Sequence, residues 1–394
     1  MHDVIRTHLL PLCLLALLAP AALAEDASAD SPALAADVKA RARKAIDKGL
    51  DYLRAAWDEQ RAAAGDSKEL THWGHPGLTA LALTAFYRSP RNYRNEDGPF
   101  LREPFEYLLS IQRENGAIND QDGLDNYITS VAMMALLSSR EDVKDVLDKA
   151  AAFMTKEQLD EGEGYKPGDK YYGGQGYGSS QRPDLSNTQL AVEALHQYGL
   201  PKDSEFFKRA LVFISRCQNS SETNDLDVFS GEDGESYVPG NDGGFIYTVG
   251  RSEALEAIET MPDGSKSLRS YGSMTYAAIK AMIHAGLDDS DPRMKSALEW
   301  IKANYQVDEN PGAGKQGLYY YLHTFAKTLN AAGIDEVTDA EGESHDWRTD
   351  LVDALVSRQR SDGSWVNDTG RWMESNPVLV TSYSVLALEE LLGH

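Results

Sequence analysis

Two cysteines, Cys13 and Cys217, are all that 394 residues carry, and only Cys217 lies beyond residue 24. A disulfide within the body of the chain is excluded, so stability has to come from a core, which a chain of this length can build. Cys217 is expected as a buried structural thiol. Basic charge is scarce too: 38 Lys and Arg against 62 Asp and Glu leave a net charge of −24. That balance argues against nucleic acid and anionic membrane surfaces as partners. Long apolar runs are missing. The most apolar stretch, Leu9–Leu18, is too short to span a bilayer comfortably, and no later one qualifies. It follows Arg6 and precedes Ala22-Leu23-Ala24, the pattern of a secretory leader with an A-x-A cleavage site. Residues 1–24 are therefore expected to be a signal peptide removed on export to a periplasmic or extracellular space. Cys13 follows Leu-Pro-Leu instead of small residues, which disfavours lipidation.

What is present is repetition. A threonine heads a small/apolar pattern six times: TALALTAF from Thr79, TSVAMMAL from Thr129, TQLAVEAL from Thr188, TYAAIKAM from Thr275, TFAKTLNA from Thr324 and TSYSVLAL from Thr381. Three and six places on, the residues are alanine or serine except for Lys327 and Asn330. Offsets of 0, 3–4 and 6–7 share one helical face. Small residues there allow close helix approach, and the apolar residues beside them fill a core. A second, more amphipathic series alternates with the first, at roughly Val38–Trp57, Glu103–Arg113, Glu141–Lys156, Ser204–Gln218, Asp291–Tyr305 and Trp347–Arg360. Asp291-Pro292 is an N-cap followed by a first-turn proline, Ser186 to Gln189 has the form of a capping box, and Gly199, Gly286 and Gly333 suit helix C-termini. Six inner and six outer helices in alternation predict one all-α domain over 38–394, an (α/α)6 toroid in which no end repeat is exposed. Residues 25–37, rich in Ala, Asp and Ser, are expected to be a flexible segment. The Gly- and aromatic-rich loops that lead into inner helices gather at one end of the ring, the usual place for binding.

Three of these loops carry glutamine, a gap, glycine and an apolar residue: Gln112 to Gly116-Ala117-Ile118, Gln218 to Gly244-Phe245 after a long insertion, and Gln359-Arg360-Ser361-Asp362-Gly363-Ser364-Trp365. The last resembles in full the glutamine–tryptophan motif of squalene cyclases. With the helix alternation, the chain resembles the prenyltransferase and squalene-oxidase repeat superfamily, which includes terpenoid cyclases and protein prenyltransferase β subunits. The resemblance implies an (α/α)6 toroid over about residues 38–394, and a structural role for Gln112, Gln359, Trp365 and the six threonines.

The family's chemistry is not carried over with it. Class II cyclases protonate an alkene or epoxide with the middle carboxyl of Asp-x-Asp-Asp directly before the repeat threonine, an acid that must be neutral and buried. Before Thr275 stand Tyr271, Gly272, Ser273 and Met274, and at the other repeats only Asp125 and Asp184 match, in the first acid's place. The acid run Asp288-Asp289-Ser290-Asp291 begins an outer helix, where Asp291 is wanted as a cap. The prenyltransferase zinc site would match only at His323, and complement-like thioester motifs are absent. No metal or cofactor is expected.

His323, Lys327 and Asn330 stand at i, i+4 and i+7, on one face of the fifth inner helix. They are expected to line the central cavity with His75, Asp125, Asp184, Tyr271, Tyr276 and Tyr321, and Asp125 or Asp184 is the expected partner for Lys327. The leading reading is an exported, non-catalytic binding or scaffold protein holding an isoprenoid, another lipid or a peptide in that cavity. One alternative is a secreted carbohydrate-active (α/α)6 enzyme with paired carboxylates, drawn from Asp125, Asp184, Asp225, Asp242 and Glu253. A divergent isoprenoid transferase or cyclase is the other.

Overall fold

The computed structural model describes residues 34–67, 69–178 and 182–392. The expected leader and its cleavage site lie outside the described residues. Twelve α-helices form among them, in the expected alternation. The outer series is α1 (Ala36–Ala64), α3 (Pro99–Ser110), α5 (Lys144–Lys156), α7 (Glu205–Arg216), α9 (Pro292–Ala303) and α11 (Trp347–Arg358). The inner series is α2 (Pro76–Arg88), α4 (Asp125–Ser139), α6 (Leu185–Tyr198), α8 (Gly272–His284), α10 (Leu318–Ala331) and α12 (Pro377–Glu389). α1 starts inside the segment expected to be flexible, so residues 36 and 37 are helical.

Each inner helix packs on the next, and α12 returns to α2, which closes the ring. The two series differ in burial as their sequences require. On α8 every residue from Gly272 to Met282 is buried, whereas α9 buries only Met294, Ala297, Trp300 and Ile301. The alanines three and six places after the threonines of α2, α4, α6 and α8 are buried to within 1 %. No helix of the described residues is long and apolar enough to cross a membrane.

The glutamine and threonine motifs prove to be one tie repeated around the ring. Gln112, Gln218 and Gln359 each donate from Nε2 to the carbonyl of a glycine in their own loop and to a carbonyl in the first half of the next outer helix: Val146, Arg293 and Ala45 respectively. Gln158 does the same with Gly173 and Phe206. It is a fourth member that sequence reading missed, standing 15 residues ahead of its glycine. The partner glycines, Gly116, Gly173, Gly243 and Gly363, have positive φ, and a Cβ on any of them would lie 1.9–2.3 Å from a carbonyl oxygen of that next helix. Only glycine permits this approach. Two residues beyond each of these glycines, the backbone N–H donates to the repeat threonine of the following inner helix: Ile118 to Thr129, Gln175 to Thr188, Phe245 to Thr275 and Trp365 to Thr381, at 3.0–3.1 Å. Trp73 donates likewise to Thr79. Trp365 is fully buried, with its indole N–H on the Leu355 carbonyl.

The fifth repeat departs from this scheme. Thr324 accepts no loop N–H; its hydroxyl bonds to the Tyr320 and Tyr321 carbonyls. Leu322 occupies the position that threonine holds elsewhere, so α10 is shifted by two residues. Its backbone start is held from another loop, by Glu374, which accepts the Tyr320 N–H at 2.8 Å. The Glu374 carboxyl is fully buried. Burial pushes it up to about 7, against the pull of donors from Asn367 and the start of α10. Thr324 is therefore not a structural counterpart of the other five threonines. The start of α6 is corrected as well: Asp184 is the N-cap, accepting the Asn187 N–H at 2.8 Å, and Ser186 lies inside the helix. Asp291 caps α9 as expected.

Short antiparallel hairpins decorate the connections. β1 (Phe229–Ser230) pairs with β2 (Ser236–Tyr237), and β3 (Ile258–Thr260) with β4 (Lys266–Leu268), both within the long α7–α8 connection. β5 (Val337–Thr338) pairs with β6 (Ser344–His345) after α10.

Candidate functional site

The ring axis is lined by one stripe from each inner helix. Relative to the repeat threonine, positions +2, +5 and +9 face inward: Leu81, Thr84 and Arg88 on α2, Val131, Met134 and Ser138 on α4, and Leu190, Glu193 and Gln197 on α6, with the same spacing at Lys280 and His284 on α8 and at Tyr383, Leu386 and Glu390 on and just after α12. With its shifted register, α10 presents Tyr320, Thr324, Lys327 and Ala331 at the equivalent places. One helical turn nearer the helix starts, position −2 holds Gly77, Tyr127, Ser186, Ser273 and Leu379. This is the place of the middle Asp in Asp-x-Asp-Asp, and no carboxylate occupies it.

The upper lumen is filled. Tyr127, Tyr320 and Tyr383 converge on the axis, with the Tyr127 and Tyr383 hydroxyls 3.4 Å apart and the Tyr320 ring 5.8 Å from that of Tyr383. The remaining cavity measures about 30 Å³, room for about two or three water molecules. An isoprenoid-, lipid- or peptide-sized space is not present there. His323 stacks on Tyr383 at 5.4 Å. Burial, with the nearby Lys327 and Lys280 ammoniums, holds its imidazole well below its ordinary value.

Below this apolar section, at the end where the inner helices finish, the axis is ionic. Glu193 bonds to both Lys280 and Lys327, and Gln197 donates to it as well. The Glu193 and Lys280 side chains are each 2 % exposed. Burial alone would raise the Glu193 carboxyl, but the two ammoniums hold it well below its ordinary value. Burial lowers Lys280 to about 8, against the attraction of Glu193 and with the help of Lys327. Arg88 meets Glu390 at 2.8 Å, and Asn330 donates to the same carboxylate at 3.0 Å. Glu389 is buried beside Arg88 and Glu390, and burial raises its carboxyl well above the usual range. Beneath the triad opens a depression of about 440 Å³.

The expected cavity residues therefore separate into three groups. His323 and Lys327 do line the lumen, and Asn330 lines the basal depression. The partner of Lys327 is Glu193, neither Asp125 nor Asp184. His75 caps α2 by accepting the Gly77 N–H. Asp125 is held by Arg113 and Asn119. Asp184 is wholly buried, and burial raises it to about 6 despite the donors on Asn187 and Tyr247. Tyr271 is buried at the start of α8. Tyr276 and Tyr321 pack on each other and on Phe325, in the layer between inner and outer helices. None of these six lines the lumen or the basal depression. Glu193 and Lys280 were overlooked. Their signal is a charged residue five places after a repeat threonine, where the other helices carry Thr84, Met134 and Leu386.

The carboxylates considered for sugar hydrolysis are each engaged in holding loops. Asp225 makes two bonds to Arg216 at 2.7 Å. Asp242 accepts from Ser270, the Gly244 N–H and Trp300, and Glu253 sits between Arg251 and Arg371. Among the described residues no cluster of His, Cys, Asp and Glu suited to a metal ion occurs.

A closed ring of six inner and six outer helices, tied by glutamine–glycine and threonine contacts, defines a terpenoid cyclase-like toroid. Solved structures bear this out. The chain is similar to variants of the type II terpene cyclase MstE from Scytonema: one in complex with the product merosterolic acid A (TM-score 0.53), one in the apo form (0.55), and one in complex with the substrate geranylgeranyl dihydroxybenzoate (0.53). Each is 14 % identical, with 91 % of this chain and 99 % of the other covered. The likeness is one of fold. No family profile matches the sequence, and no curated protein sequence matches it.

Proposed function

We propose that this protein is an exported, non-catalytic binding or scaffold protein that uses a terpene cyclase-like toroid as a frame. The observation that carries the reading is the axis itself. Position −2 offers glycine, tyrosine, serine or leucine where cyclisation needs a buried acid, and tyrosines fill the lumen down to about 30 Å³. Similar structures hold a geranylgeranyl substrate or its product, but a chain of that size has no room on this axis. Binding is therefore assigned to the ends of the ring. The leader pattern before Glu25 supports export.

Incubation of the purified protein with squalene and with geranylgeranyl dihydroxybenzoate, followed by mass spectrometry of the extract, is expected to return both unchanged. A cyclised product formed at a rate above that of heat-denatured protein would overturn the reading. N-terminal sequencing of protein expressed from the whole chain in a bacterial host is expected to begin at Glu25.

A further inference from the structure

The lower end of the ring carries more hydrogen-bond donors than the protein uses. An ammonium has three N–H donors, yet Lys280 and Lys327 each have one bonding partner among the described residues, and it is the same carboxylate. Ser89 borders the basal depression, and its buried hydroxyl has no partner. Charge is unbalanced in the same direction. The depression is bordered by Arg88, Arg140, Lys280 and Lys327 against Glu193 and Glu390, four cations to two carboxylates, in a chain whose net charge is −24. The converging helix C-termini, each equivalent to roughly half a negative charge, explain why cations collect at the rim. They do not use Lys280, which stands one turn inside α8, four residues before the final His284. Burial costs an ammonium heavily unless its donors are met, so the unused donors call for acceptors from outside the chain.

We infer that the basal depression binds a small anion bearing two or more anionic oxygens, of the phosphate or polycarboxylate class, on Lys280, Lys327, Arg88, Arg140 and Ser89. A space of about 440 Å³ suits a small organic anion. The anion neutralises the charge surplus and accepts from the two ammoniums and the Ser89 hydroxyl, while Glu193 keeps both lysines in place. This deepens the non-catalytic binding reading and rests on it.

Isothermal titration of the intact protein at low ionic strength, with sodium pyrophosphate in one arm and citrate in the other, tests the site. Saturable one-to-one binding is expected in at least one arm, and the arm that binds identifies the class. Lys327→Met is expected to weaken that binding by roughly tenfold or more. Ser89→Ala and Arg140→Gln, which leave the Glu193 triad intact, are expected to weaken it while melting like the parent, so loss of binding is readable even if Lys327→Met misfolds. Absence of saturable binding in both arms overturns the inference, and so does binding that Ser89→Ala and Arg140→Gln leave unchanged. Either failure leaves the non-catalytic reading standing, because that depends on the product assay alone.

Discussion

Glu193 pairs one carboxylate with two ammoniums at a largely buried place on the axis, which leaves one positive charge in excess. Removing a charge from such a cluster and removing its surplus have opposite consequences. Glu193→Gln leaves two buried ammoniums unpaired and is expected to cost about 3–5 kcal/mol. Lys280→Met leaves a one-to-one Lys327–Glu193 pair with similar volume and is expected to cost under about 1.5 kcal/mol. Urea unfolding of both variants checks this, and equal losses would contradict the triad. The pH dependence has a definite sign. In the folded protein Lys280 sits near 8, below its ordinary 10.5, so across that window the unfolded chain binds more protons. Stability contributed by this group therefore rises as pH goes from about 8 to 10.5, and Lys280→Met is expected to remove that rise. The spacing of His323, Lys327 and Asn330 was legible in the sequence because helical periodicity fixes which residues share a face. The counter-charge was not, because Glu193 is 134 residues from Lys327 and only the ring's curvature brings α6, α8 and α10 around one axis.

At the scale of the helices, the glutamine–glycine tie does the work that a longer linker would leave undone. Each glutamine meets two carbonyls, one in its own loop and one on the neighbouring outer helix, and each partner glycine lets the loop lie against that helix backbone. Gly363→Ala forces a Cβ to within 2.3 Å of the Lys48 carbonyl oxygen from a backbone of positive φ. It is expected to lower stability by about 3 kcal/mol, measured by thermal or urea unfolding. Substitution at Gly342, also of positive φ but with open space around it, is expected to cost about 1 kcal/mol, which separates the clash from the dihedral. Two of the four ties were recognisable in full from local sequence, at Gln112 and Gln359. The tie at Gln218 was found across its insertion, though its partner is Gly243 and not the Gly244 of the sequence reading. The one at Gln158 was not recognised, and among the described residues the first and fifth repeats show no such tie. The fifth repeat's threonine-led pattern is a two-residue misregistration that sequence periodicity could not expose, since Thr324 still lies on a helix and is still buried.

The molecule as a whole is a ring, and a ring has a seam. Here the last outer turn meets the first helix: Gln359 donates to the Ala45 carbonyl, and Gly49 of α1 lies against Trp365 and Val385. A Cβ at position 49 would approach Val385 to 2.6 Å. Gly49→Leu is expected to wedge the seam open and cost about 3 kcal/mol, with a lower melting temperature as the readout. A change smaller than about 0.5 kcal/mol, the range of neutral surface substitutions, would show that closure there contributes little. Closure also decides what the axis offers. Helices brought near enough to complete the ring press Tyr127, Tyr320 and Tyr383 together at its upper end, while the opposite end gathers the charged residues above an open depression.

By itself, the amino-acid sequence determined the all-α class, the twelve-helix alternation, the inner and outer assignment and the missing catalytic acid. All of these depend on short-range periodicity and on residue identity at fixed offsets. Tertiary structure alone decided the register of α10, the closed upper lumen and the Lys280–Glu193–Lys327 triad. Those depend on distances between side chains from different repeats, which follow from the radius and twist of the closed ring; local spacing marks Glu193 and Lys280 as charged residues five places after a threonine but not which partner each one meets.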